Sequence, residues 1–176
     1  MDELERLLDL LAKDGSIEQR LQTFWPVIEP RLSAIVGRLR TFASGLAAAD
    51  GAEPVALVRL ERVHLRHFSH LLSWRVDGDY ADSVLAMQFA FQRANLGAPE
   101  IVAIYNELAR SLTTYLVEAY RWTPGTLASI QKAVTSAVLF DLSMILANCR
   151  AENRIAPAAL RPPAPAVQKD RLPGVF

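Results

Sequence analysis

The chain holds 176 residues, enough for one domain with a substantial core, and its 19 basic and 19 acidic side chains cancel. No net field therefore draws it to nucleic acid, to an anionic membrane surface or to an acidic substrate. Its single cysteine, Cys149, excludes an internal disulfide and a zinc site built on paired thiolates, and fits a reducing cytoplasm.

Glycine is scarce, prolines fall between segments, and apolar residues recur at helical rather than alternating spacing, so the chain reads as all-α. Four of the first six residues are charged where a secretory signal needs a basic start and an apolar run, so no export is expected. Residues 2–13 predict a short leading helix, with Leu4, Leu7, Leu8 and Leu11 on one face before Asp14-Gly15-Ser16 interrupts. This makes 1–16 an added N-terminal element. A segment over 17–24 follows, and Pro26 and Pro30 then suit the first turn of a helix over 27–48, where a missing N–H costs little.

Pro54 opens the next helix, through Leu57, Leu60, His64, Phe68 and Leu71 to Trp74, and residues 75–79 turn the chain. A helix over 80–95 carries Val84, Leu85, Met87, Phe89 and Phe91. Pro99 begins a long helix striped by Ile101, Ile104, Tyr105, Leu108, Leu112, Tyr115 and Leu116, which Thr123-Pro124-Gly125 stops. Thr126 is the expected N-cap of the last helix, which reaches about Asn153.

From 133 to 149 that helix carries one charge, Asp141, and falls short of the ~20 residues that span a bilayer. It reads as a buried helix of a soluble protein, covered on more than one side. Cys149 on it behaves as a small hydrophobe. The prolines of 156–176 mark an extended or disordered tail and leave 17–155 as the folded domain.

Motifs of chemistry are sparse. His64, His67 and His70 stand at i, i+3 and i+6, which fans them around a helix instead of stacking two metal ligands on one face. Residues 77–82 resemble the start of a calcium loop, but Asp82 replaces the required glycine and Gln88 the closing glutamate, so they read as a capping turn. No phosphate loop, nucleophilic triad or catalytic carboxylate pair is found, and no enzyme is expected.

Three stretches in order resemble the sensor globins, the family that includes globin-coupled sensors and protoglobins. They are Ile35-Val36-Gly37-Arg38-Leu39-Arg40, then Leu65-Arg66-His67-Phe68-Ser69-His70-Leu71-Leu72-Ser73 with Asp77, Tyr80 and Ser83, and finally Lys132-Ala133-Val134 with Leu139-Phe140-Asp141-Leu142 and Ala147. Arg93, Leu96 and Tyr105 fall between them at the family's spacing. The resemblance implies a globin-like helical sandwich with an extra N-terminal helix, and a haem held by a histidine two residues before the matched arginine.

Here that position is Phe91, and no histidine lies anywhere from Tyr80 to Tyr105. A phenyl ring has no lone pair to donate to iron. Across the pocket the family's Phe-Tyr pair, whose tyrosine steadies bound oxygen, is replaced by Leu39-Arg40. Phe91, Leu39, Arg40 and His67 are thus the candidate residues of a vestigial haem pocket, with Phe91 expected to fill the core, Arg40 to face solvent and His67 and Asp141 to be structural.

The family's haem-free relatives imply a regulatory dimerisation module. It pairs as a homodimer through the last two helices, with no cofactor and a separate signalling protein as partner. Two alternatives stay open: a haem-binding oxygen or redox sensor using an unusual ligand such as His67, and a pocket for a fatty acid or other apolar ligand.

Overall fold

The computed structural model describes residues 16–47 and 54–155. The leading helix expected over 2–13, the tail over 156–176 and the Cys149 side chain lie outside the described residues. Within them the chain forms α1 (Ser16–Ile28), a 3-10 turn (Glu29–Arg31), α2 (Leu32–Ala47), α3 (Pro54–Leu72), α4 (Gly78–Arg93), α5 (Ala98–Tyr120) and α6 (Pro124–Ile155), with no strand among the described residues.

The first break falls at Pro30 rather than at Pro26. Pro26 sits in the last turn of α1, where it removes one hydrogen bond, and the fully buried Phe24 and Ile28 on either side hold that turn in place. Pro30 instead lies in the first turn of the 3-10 segment. The start of α6 also differs from expectation. The helix opens with Pro124, and the Thr123 carbonyl accepts the Leu127 N–H at 2.9 Å, so Thr123 rather than Thr126 is the capping residue.

Local chemistry sets the other ends. The Asp77 carboxylate accepts the Tyr80 N–H at 3.1 Å and caps α4, as the turn-like sequence of 77–82 requires. Glu100 accepts the Gly97 N–H at 2.9 Å at the head of α5. Both α3 and α4 end in a left-handed residue, Trp74 (φ 55°) and Asn95 (φ 53°). In each, the next N–H reaches back five residues, Arg75 to the His70 carbonyl at 2.9 Å and Leu96 to the Phe91 carbonyl at 3.0 Å. Asparagine tolerates this conformation, whereas a tryptophan there carries strain that its partial packing against the core offsets.

The helices assemble as a sandwich around α6. This helix packs on α5 and α1 and also touches α3 and α4, while α3 lies between α4 and α2. Such coverage explains its composition. The stretch Pro124–Ala147 is long and apolar enough to cross a membrane by length and composition, and 44% of its apolar 18-residue window is buried inside the fold. Asp141, in the middle of that stretch, is fully buried with partners on three other helices, which marks α6 as a core helix.

The core runs from Leu21 and Phe24 on α1 through Ile35 and Leu39 on α2 to Phe68, Met87, Phe91, Ile104, Leu108 and Ile145. It is continuous, and each helix gives it one stripe.

Candidate functional site

Four helices meet on one carboxylate. From α6, Asp141 takes His67 Nε2 at 2.9 Å on Oδ1 and 2.8 Å on Oδ2. The Tyr80 hydroxyl of α4 donates to Oδ1 at 2.7 Å, and the Tyr105 hydroxyl of α5 donates to Oδ2. On the far side of the imidazole, His67 Nδ1 lies 2.8 Å from Ser83 Oγ, and that hydroxyl donates onward to the Tyr80 carbonyl at 2.7 Å. Ser83 thus links the His67 ring to the first turn of α4.

The electrostatics follow. Burial by itself would raise the Asp141 pKa, but the His67 charge and the hydrogen bonds from His67, Tyr105 and Tyr80 outweigh it and hold the carboxyl below its usual value. The same anion works the other way on the phenols. Burial and the Asp141 charge push Tyr80 and Tyr105 well above the ordinary tyrosine range, so both stay protonated donors. Each side-chain polar atom of this centre has a hydrogen-bond partner inside the fold, which suits a clamp between helices better than a reactive centre.

Beside this polar centre lies an aromatic stack. The His64 ring lies parallel to Phe68 at 5.2 Å and meets Phe91 edge-on at 5.5 Å, while Phe68 in turn meets the Tyr105 ring at 5.9 Å. His64, Phe68 and Phe91 are all fully or almost fully buried. Neither ring nitrogen of His64 has a hydrogen-bond partner among the described residues. Burial lowers its pKa to about 3, with the nearby His67 charge acting in the same direction and Asp141 against it, so the imidazole is neutral.

The expected pocket residues divide between these surroundings. Phe91 fills the core, as anticipated, and Leu39 is buried with it. Arg40 stays outside, where its guanidinium meets Glu61 at 2.8 Å and ties α2 to α3 with both side chains partly exposed. It faces solvent, as expected, with its charge meeting a carboxylate at the surface. His67 has both ring nitrogens engaged, one by Ser83 and the other by Asp141.

The residue that sequence reasoning passed over is His64. Its position in the buried stripe Leu60, His64, Phe68, Leu71 was the available signal, because an imidazole on an apolar face is buried with it.

A haem between α3 and α4 does not fit this arrangement. Phe91 offers no donor from α4, and two rings already in aromatic contact leave no slab for a planar macrocycle between them.

An all-helical sandwich in which α3 and α4 face each other across buried aromatic rings, closed by two long helices, defines a globin-type domain. The Protoglobin family model matches residues 1–154, and the chain belongs to that family. No curated protein matches it.

Proposed function

We propose that the chain is a cytoplasmic regulatory module of the protoglobin family that works without haem, pairs with a second copy of itself, and passes its state to a separate signalling protein. The observation that carries this reading is Phe91, packed edge-on against His64 at the position where the family resemblance puts the iron ligand.

Haemin added to the purified protein is expected to give no sharp, stoichiometric Soret band. Phe91→His alone is expected to leave this unchanged, because His64 and Phe68 still occupy the space. A stoichiometric band in the unaltered protein overturns the haem-free reading. The second reading, a haem sensor with a non-standard ligand, is better served by His64 than by His67, because both ring nitrogens of His64 lack a hydrogen-bond partner among the described residues while both of His67 are engaged. His64→Leu abolishing such a band would establish it.

Pairing is placed on α5 and α6, whose Val102, Val117 and Leu139 remain 36%, 45% and 56% exposed. Apolar surface of this kind is what a partner helix covers. Light scattering at micromolar concentration is expected to show a dimer, and Leu139→Glu a monomer. A native protein that is strictly monomeric removes pairing from the proposal.

A further inference from the structure

The turn over residues 73–77 folds α4 back against α3, so Arg59, near the start of α3, and Arg93, at the end of α4, come together at the open end of this hairpin. Between the helices at that end is a cleft of about 330 Å³, lined by Arg59, Val63, Ala86, Phe89, Ala90 and Arg93. Its floor is apolar, with Phe89 58% exposed. A second cleft shares Arg59 and Val63 and adds Arg62.

Among the described residues the charge at this end is uncompensated. Among the described residues Arg59, Arg62 and Arg93 form no ion pair. Glu61, the one acid on α3, is held by Arg40, and the acids of α4, Asp79 and Asp82, sit at its opposite end.

We propose that this cleft binds a small amphipathic carboxylate, its acid group between Arg59 and Arg93 and its apolar chain along Val63, Ala86, Phe89 and Ala90. Guanidinium groups pair with carboxylates through two parallel N–H···O bonds, and a solvated arginine gives up less water than a lysine to do so. The cleft has the volume of a small-molecule site.

The aromatic stack occupies the core, so the ligand lies outside it, in the surface cleft between α3 and α4. The site is separate from pairing through α5 and α6, so failure of either proposal leaves the other standing.

The test titrates decanoate, below its micelle concentration, into the isotope-labelled full chain and follows backbone amide shifts. Saturable one-to-one shifts are expected at Val63, Ala86, Phe89 and Ala90. Arg59→Gln and Arg93→Gln, both exposed and remote from the core, are each expected to weaken binding about tenfold or more. Decanol, with the same chain and no acid, is expected to bind more weakly than decanoate by a similar factor.

No saturable shift overturns the proposal, as does binding that both arginine variants retain or that decanol matches. Shifts at these amides that follow protein concentration instead of decanoate would place a second copy in the cleft and overturn it too. So would native mass spectrometry that finds a peptide seated there.

Discussion

Asp141→Ala is expected to destabilise the fold by about 3–5 kcal/mol, the cost of breaking a buried ion pair by removing one partner. The loss exceeds that of an ordinary hydrogen bond because three donors are orphaned together. His67, Tyr80 and Tyr105 all bond to this carboxylate, which is fully buried. Asp141→Asn is expected to fall between, since its amide keeps one acceptor oxygen and turns the other contact into donor against donor. Urea denaturation of the three proteins checks the order. A loss below about 1 kcal/mol for the alanine variant would mean that the centre contributes little to holding the helices.

Acid is expected to destabilise the native chain well before its carboxylates are protonated. The cause is His64, whose folded pKa is about 3 against an ordinary 6.5. A base with a depressed folded pKa binds fewer protons folded than unfolded across that interval, so its contribution is complete above pH 6.5 and declines as pH falls toward 3. Between pH 7 and pH 4 the loss amounts to roughly 3 kcal/mol.

Asp141 has the same sign in a lower window. Its folded pKa lies below 3.8, so its contribution is present above 3.8 and is lost as pH falls through the folded value. The two are separable by substitution. His64→Leu, of similar size and with no proton to take up, is expected to flatten the stability curve between pH 6.5 and 4 and leave the steeper fall below it. If native protein and variant lose stability in parallel over that range, the loss belongs to another group.

The sequence made the helices legible because apolar spacing reports which face of a segment is buried. Leu60, Phe68 and Leu71 on α3, and Ile101, Ile104, Tyr105, Leu108 and Leu112 on α5, face the core as their spacing requires. Breaks were harder. Pro26 and Pro30 carry the same local signal, and only the burial of Phe24 and Ile28 decides that the chain stays helical through the first.

Phe91 as a core residue and Asp141 as a buried acid in need of partners could both be read from composition. That His67, Tyr80 and Tyr105 are those partners could not, because a helical pattern names a face and not its neighbour. His64 was hidden for the same reason: its spacing from His67 and His70 drew attention to metal binding, while its spacing from Leu60 and Phe68 determined its surroundings. The arginines of the α3–α4 cleft are far apart along the chain and meet only through the turn between those helices.

The four-helix clamp has a consequence for how the chain comes apart. Asp141 reaches its partners across 74, 61 and 36 residues of sequence. An intermediate with α6 docked but α4 or α5 displaced would hold a dry carboxylate with too few donors, and one with α6 displaced would strand two phenols and an imidazole. Both lie high in free energy, so none of these four helices detaches alone at low cost. Unfolding of α3 through α6 is thereby made cooperative, as one all-or-none step in which no partly undocked species accumulates.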